Sequence, residues 1–217
     1  MNQRPLQIAV ALVAATVAVG LWAYFALPKD AFLPIHRGFG GAIVHLAKAP
    51  SVAIIPAIAV LVIGLMTIVP ALAPTGKGIE RSALPYGALL IGLAGVFLVS
   101  EVALAERLRE ANFDVLRPVF LSVTVLLLIL GNYLGKIRHN HIFGIRTPWT
   151  LSDARVWDKT HRAAGRLMVL AGLLLIPVSL WVRDSAVLVG LMVALTAGPP
   201  IWAMFYSRRL WRREHPV

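Results

Sequence analysis

Six long stretches of the chain contain no aspartate, glutamate, lysine or arginine and consist mainly of apolar side chains. A helix that crosses the hydrocarbon core of a bilayer needs roughly 20 apolar residues at about 1.5 Å per residue. Five stretches suit that length, and the shortest is flanked by arginines whose stems can reach the headgroups. The stretches cover residues 5–28, 49–76, 82–100, 118–135, 167–182 and 185–207. The sequence therefore predicts an all-α integral membrane protein with six transmembrane helices.

The composition supports this fold class. Apolar residues make up 59% of the chain and charged residues 14%, against roughly 45–50% and about 25% in soluble domains. Cysteine is absent, which excludes disulfides and thiolate metal sites. The formal net charge of +11 is spread along the flanks of the apolar stretches. We therefore expect membrane lipids, and not nucleic acid, to be the partners of these cations.

The basic residues also predict the orientation. Lysine and arginine in short loops remain on the cytoplasmic side of a membrane. With six spans, the side that holds both termini receives roughly twice as many of them as the other. We therefore expect both termini in the cytoplasm, in a multi-pass protein of the bacterial cytoplasmic membrane. The first stretch exceeds the length of a secretory signal core and is predicted to remain as an anchor.

Two parts of the chain are predicted. Residues 1–76 would form an N-terminal membrane module with two spans and an external loop at 28–50, in which a short helix is expected over 42–48. Pro56 is expected to kink the second span or to delay its start. Residues 82–217 would form a membrane domain of four spans. A cytoplasmic connector, residues 136–166, joins the second and third of these.

The connector concentrates polar, aromatic and basic side chains. Pro148 favours an extended conformation at Thr147 and the start of a helix soon after it. Thr150 and Asp153 have the spacing of a capping box, with Asp in place of the preferred Glu or Gln. The helix that follows is expected to continue into the fifth span.

Trp157, His161 and Gly165 are spaced one helical turn apart and should share a face. We expect the connector tryptophans to fix the depth of the chain at the membrane interface.

Two polar residues lie at the ends of spans outside the connector. Glu101 follows the third apolar stretch and is a candidate proton or cation site, although hydration is cheap near the outer interface where it is predicted to lie. Asn132 lies near the inner end of the fourth span and is expected to hydrogen-bond to a neighbouring helix.

The connector closely resembles the hallmark of the SdpI family of bacterial membrane proteins, which are named for immunity to a secreted toxin. The resemblance covers residues 131–172, and the loop pattern Leu27-Pro28, Pro34-Ile35-His36 and Gly38 is similar to an N-terminal module often found in that family. The connector match includes Phe143, Leu151, Thr160, Arg162 and Gly165 besides the candidate site residues. Those candidates are Asn140, Gly144, Arg146, Thr147, Pro148, Trp149, Thr150, Trp157 and His161.

The resemblance implies a non-enzymatic protein that confers immunity to a peptide toxin met on its outer face. It further implies that toxin capture is relayed to a cytoplasmic regulatory protein. Within the connector, Arg146 would pair with an anion or a helix C-terminus, Thr150 would cap a helix, and His161 would be the switchable group. No cofactor and no metal is predicted, and the oligomeric state is left open.

Two other classes of function stay open at this point. A small transporter or channel would need Glu101, Asn132 and His161 to line one polar path. A membrane enzyme acting on lipid-linked substrates would use His161 as a base and Arg146 as a phosphate clamp, although no supporting carboxylate pair is found. Zinc chemistry has weaker support, because His139, His141 and His161 could converge but no His-Glu-x-x-His pattern is present.

Overall fold

The computed structural model describes residues 3–29, 32–37, 43–72 and 82–215, most of which are helical. Seven helices and one two-stranded hairpin are present in these ranges. In chain order they are α1 Arg4–Ala26, β1 Phe32–Arg37, β2 Ile43–Ala47, α2 Lys48–Leu72, α3 Ala83–Arg109, α4 Leu116–Leu134, α5 Pro148–Ser152, α6 Ala154–Trp181 and α7 Ser185–Glu214.

Six of the helices in the described ranges are long and apolar enough to cross a membrane. They are α1, α2, α3, α4, α6 and α7, which confirms the predicted helical membrane protein with six spans. Their outer faces carry exposed apolar side chains such as Phe25, Leu121 and Leu174, as expected of surfaces that contact lipid. The sidedness of the bundle stays a prediction.

The helices pack as a series of neighbours. α1 packs against α2 and α3, α3 against α4, α4 against α6, and α6 against α7. One apolar cluster joins α1, α2 and α3 through Ala9, Ile63, Tyr86, Leu90 and Ala94. A second joins α4, α6 and α7 through Phe120, Leu127, Ala171, Leu175 and Leu188. α3 therefore belongs to the N-terminal core as well as touching α4, so the division between 1–76 and 82–217 is retained only as a proposal.

Two local expectations about the N-terminal part are wrong. The segment 43–47 is a strand paired antiparallel with β1 and not part of a short helix, in keeping with the β-branched Ile43 and Val44. α2 begins at Lys48 and continues through Pro56, so the delayed start is wrong, whereas the alternative of a kink at Pro56 stays a prediction. A proline removes one helical hydrogen bond, and membrane helices tolerate that loss where neighbouring groups compensate.

A pair of glycines sets the crossing of α4 and α6. A Cβ atom added to Gly131 would lie 2.8 Å from the carbonyl oxygen of Gly165, and one added to Gly165 would lie 2.6 Å from that of Gly131. The two backbones are therefore in direct contact. The connector must leave α4 and return into α6 close to this crossing.

Candidate functional site

The connector begins with a tight turn that is shaped by Asn140. Its buried side-chain oxygen accepts the N–H groups of Ile142 at 2.8 Å and Phe143 at 2.9 Å. Its amide nitrogen donates to the carbonyl of Arg138 at 2.8 Å. The side chain thus hydrogen-bonds to backbone groups that precede and follow Asn140 in the chain. Such bonds fix a turn that lacks regular secondary structure.

Trp157 forms the centre of the connector. The side chain is fully buried, and its indole nitrogen donates to the carbonyl of Ile137 at 2.8 Å. The ring of His161 stacks on it with centroids 4.0 Å apart, and the ring of His139 meets it edge-on at 5.1 Å. The expectation that Trp157 sits as an anchor among the headgroups is therefore wrong, because the protein itself encloses the indole.

His161 ties the connector to α6. Its Nε2 accepts the backbone N–H of Ile145 at 2.9 Å, and its Nδ1 lies 2.9 Å from the carbonyl of Trp157. Because Nε2 accepts, the ring proton is on Nδ1 and is donated to that carbonyl, which gives the neutral tautomer. Both nitrogens are occupied and the ring is fully buried. As placed, His161 has no free lone pair with which to act as a general base or a metal ligand.

Gly144 lies directly against this pair of rings. Its φ is +116°, and a Cβ atom added there would stand 2.6 Å from Nε2 of His161 and 3.1 Å from the ring of Trp157. Residues other than glycine rarely adopt this backbone conformation, and the two rings also occupy the space that a Cβ atom would need. The motif therefore needs glycine at this position for two independent reasons.

A hydroxyl network starts the short helix α5. Thr147 is its N-cap, with the side chain accepting the N–H of Thr150 while the Thr150 hydroxyl accepts the N–H of Thr147. The Thr150 hydroxyl donates to the carbonyl of Ile145 at 2.7 Å. The Thr147 hydroxyl lies 3.0 Å from that of Ser207 on α7, which itself donates to Met204. These buried polar groups are thus satisfied together.

Asp153 starts the long helix α6. Its carboxylate accepts the N–H groups of Arg155 at 2.6 Å and Val156 at 3.4 Å. The bond from Arg155 is the main cause that lowers the pKa of Asp153. The predicted Thr150–Asp153 box is therefore wrong, because α5 ends before α6 begins and each helix has its own cap.

The end of α7 holds the connector from one side. Lys159 forms an ion pair with Glu214, and the ring of His215 lies 3.7 Å from the carboxylate of Asp153. The guanidinium of Arg208 lies over the ring of Trp149 at 5.8 Å, so Trp149 contacts a cation of α7.

The N-terminal helices hold the connector from the other side. Phe143 meets Tyr86 of α3 edge-on at 5.2 Å, and both Ile142 and Phe143 pack on the first apolar cluster. The N–H of Arg138 donates to the hydroxyl of Ser82 at 3.0 Å. Tyr86 in turn donates to the carbonyl of Met66 on α2. The connector therefore bridges the two halves of the bundle.

The segment that contains this network is the segment that known proteins share. Residues 136–207 match the SdpI/YfhL protein family. The chain is also 33% identical over 88 residues to the immunity protein SdpI of Bacillus subtilis (strain 168), an alignment that covers 41% of this chain and 42% of that relative. The chain thus aligns with less than half of the relative's length. No solved structure matches the chain significantly.

These matches confirm the resemblance to the SdpI family that was drawn from the connector. All nine candidate residues of the connector lie inside the matched range 136–207. The N-terminal pattern lies outside that range, and its Gly38 also lies outside the described residues.

Besides Gly144, two candidates of the connector are exposed at its surface. Pro148 is the exposed first residue of α5, a position that suits proline because the first helical N–H has no partner in the helix. Arg146 is exposed, and within the described ranges its guanidinium forms no ion pair or hydrogen bond. The expected contact with a helix C-terminus is not formed.

Glu101 lies far from the SdpI motif, in the N-terminal half of the bundle. It is fully buried, and within the described residues neither carboxylate oxygen has a hydrogen-bond partner. A Cβ added to Gly20 of α1 would stand 3.0 Å from Oε1 of Glu101 and 2.7 Å from the carbonyl of Val52 on α2. Pro56 has no N–H to donate to that carbonyl. The expected easy hydration of Glu101 is therefore wrong, because α1 and α2 enclose its side chain, whereas its location near the outer interface stays a prediction.

Asn132 has a third environment. It is exposed on α4, where it lines an open groove with Arg162 and Arg166, and within the described ranges its side chain forms no hydrogen bond to another helix. Glu101, Asn132 and His161 therefore do not share a cavity, and the polar path predicted through these three is not formed among the described residues. Across the described residues, no cluster of three or more His, Asp or Glu suits a metal ion.

Sequence reasoning gave Asp153 the wrong role and missed several other members of the site. Asp153 carried a usable signal for its true role, since an aspartate directly before a long helix is a common N-cap. Ser207, Tyr86 and the carbonyl of Ile137 carried none, because each meets the connector from a distant or irregular part of the chain.

Proposed function

We propose that this chain is a non-enzymatic immunity protein of the SdpI type, which lies in the bacterial cytoplasmic membrane and protects it from a secreted peptide toxin. One observation carries the proposal. The family-matched connector is an ordered structural unit in which Trp157 and His161 hold backbone groups and present no reactive atom. The similarity to an immunity protein supports the same conclusion.

The absence of a free nitrogen on His161 argues against the enzyme hypothesis. A general base must reach the proton it removes from a substrate, whereas both nitrogens of this buried ring already bind backbone groups. Arg146, the proposed phosphate clamp, is exposed and is not part of the His161 hydrogen-bond network.

The contacts of the connector suggest how toxin capture would be relayed. Phe143 rests on Tyr86 of the N-terminal helices, and Thr147 binds Ser207 of the C-terminal helix. A toxin that shifts these helices from the outer face would therefore strain the connector from both sides. With both termini in the cytoplasm, the exposed Arg146 would present its charge to an acidic cytoplasmic protein.

Survival of a sensitive strain tests the protective function. The chain would be expressed in cells that are killed by the peptide toxin encoded nearest to its gene, and in Bacillus subtilis that lacks its own immunity protein SdpI. We expect survival above that of cells carrying the empty vector in at least one of these strains. Equal killing in both, with the protein present in the membrane, would overturn the proposal.

The relay is tested separately with a photo-crosslinking amino acid in place of Arg146. A cytoplasmic protein captured only after toxin is added would support it. Capture that is the same with and without toxin would contradict it.

A further inference from the structure

A groove of about 600 Å³ opens between α4 and α6 on the side of the bundle that faces the surrounding lipid. Its floor is the crossing of Gly131 and Gly165, where the backbones touch. Beside it the stem of Arg162 lies across Gly135, since a Cβ added to Gly135 would stand 3.0 Å from Cγ of Arg162. The absence of side chains at these glycines lets α4 and α6 approach closely along the floor of the groove.

Three cations surround one end of the groove, namely Lys136, Arg162 and Arg166. Among the ion pairs of the described residues, none involves any of the three. Lys136 lies over the ring of Tyr133 at 4.7 Å, and Nε of Arg162 donates to a carbonyl of its own helix at 3.3 Å. Neither contact neutralises a positive charge.

The arrangement of these cations costs free energy unless an anion is present. Arg162 and Arg166 are four residues apart on α6, a spacing at which like charges repel each other. Lys136 adds a third charge from the end of α4. Asn132, which is exposed at the same end, adds amide hydrogens that can be donated. This set of donors suits a phosphate group, which guanidinium ions bind through two parallel hydrogen bonds.

The other end of the groove is apolar. Val169 and Leu170 line it, and the next turn of α6 adds the exposed side chains of Leu173 and Leu174. The charge therefore lies near the end of the span, whereas the apolar surface extends into it. A free phosphate ion would use only the first part of this surface, and an amphiphile would use both.

We propose that the groove binds an anionic phospholipid of the adjacent leaflet. Its phosphate lies among Lys136, Arg162 and Arg166, and its acyl chains follow Leu170, Leu173 and Leu174. Basic pockets between spanning helices are a recurrent way of binding such headgroups. Lys136 directly precedes Ile137, whose carbonyl holds the indole of Trp157. A bound lipid therefore braces the connector at its first residue.

The test uses the full chain, purified in a mild neutral detergent. Thermal unfolding is followed with added phosphatidylglycerol, with phosphatidylcholine of the same chain length, or with inorganic phosphate, and bound lipid is counted by native mass spectrometry. We expect phosphatidylglycerol to raise the unfolding temperature more than the other two and to remain bound. An equal effect of phosphatidylcholine, or of phosphate alone, would overturn the lipid assignment.

A matched pair of variants locates the site. Arg162→Gln with Arg166→Gln should weaken phosphatidylglycerol binding by about tenfold or more, since it removes charge-assisted hydrogen bonds. Arg209→Gln with Arg213→Gln removes two exposed arginines of the same spacing on α7 and should weaken binding much less. Equal loss in both pairs, or no loss in the first, would contradict the site. Should the first pair fail to fold, Lys136→Gln alone must show the same selective weakening.

Discussion

The backbone N–H of Ile145 donates to Nε2 of His161 across 2.9 Å. This bond joins the irregular part of the connector to the first turns of a spanning helix, and it is made by a side chain that stacks on Trp157. It requires the neutral ring, because a protonated imidazole has no lone pair to accept the N–H. His161, the candidate switch of the connector, therefore acts as a structural hydrogen-bond acceptor.

Substitutions of His161 can distinguish the contribution of its hydrogen bond to Ile145 from that of its ring, which stacks on Trp157. His161→Phe keeps a ring against Trp157 but leaves the N–H of Ile145 without its partner, which should lower the free energy of unfolding by about 1–3 kcal/mol. His161→Gln offers a side-chain oxygen and should lose less. The measurement is the unfolding midpoint in detergent. A Phe variant as stable as the wild type would show that the bond contributes nothing.

The hydroxyl contact between the connector and α7 can be measured by a double-mutant cycle. Ser207→Ala should cost about 0.5–1.5 kcal/mol of unfolding free energy, because it removes one partner of Thr147. Thr147→Val should cost more, since it also removes the cap of α5. Ser185→Ala, at an exposed site on the same helix, is the control. Strictly additive effects of the Thr147 and Ser207 changes would contradict direct coupling.

Substitution of Glu101, unlike the changes above, is expected not to lower the free energy of unfolding. Its buried carboxylate has no partner among the described residues, and an uncompensated buried charge is costly. Glu101→Gln keeps the shape and removes the charge, so the unfolding free energy should stay the same or rise. Glu106→Gln on the same helix removes a partly exposed ion pair with Arg109 and should cost less than about 1 kcal/mol. A loss larger than that in Glu101→Gln would point to a partner of the carboxylate absent from the described contacts.

The cap of α6 predicts a dependence on pH. Because the folded protein lowers the pKa of Asp153, the capping carboxylate stabilises the fold above its ordinary unfolded pKa of about 3.9. That contribution is lost as the pH falls through the lowered folded value. Asp153→Asn still caps through its amide oxygen and should show a smaller loss of stability on acidification.

Asp158→Asn is the control for the Asp153 variant, since Asp158 is exposed and caps no helix. It should follow the wild-type curve. An Asp153→Asn variant that follows the wild-type acid profile would show that the cap does not contribute to it.

The parts of the structure that were predictable depend on local pattern. Uncharged apolar stretches identify the spans because the length of a membrane helix is set by the bilayer. Trp157, His161 and Gly165 were placed on one face because helical spacing alone decides it, and all three are buried.

The parts that were not predictable depend on tertiary contacts. The enclosure of Glu101 needs the positions of α1 and α2, and Thr147 meets Ser207 from sixty residues away. The threonine box was predicted for the wrong pair because a short separate helix, α5, could not be read from the capping residues alone.

We propose that protection requires the connector to be packed on Trp157 and His161. Gly144→Ala would disturb this packing, because the added methyl group meets both rings and alanine is strained at the positive φ. The substitution should lower the free energy of unfolding by about 1–3 kcal/mol. Gly190→Ala is the matched control, because an added Cβ there meets no atom within 4 Å.

The decisive measurement is survival of toxin-challenged cells that express each variant at equal membrane abundance. We expect Gly190→Ala to protect as well as the wild type and Gly144→Ala to lose most of the protection. Full protection by Gly144→Ala at equal abundance would contradict the proposal.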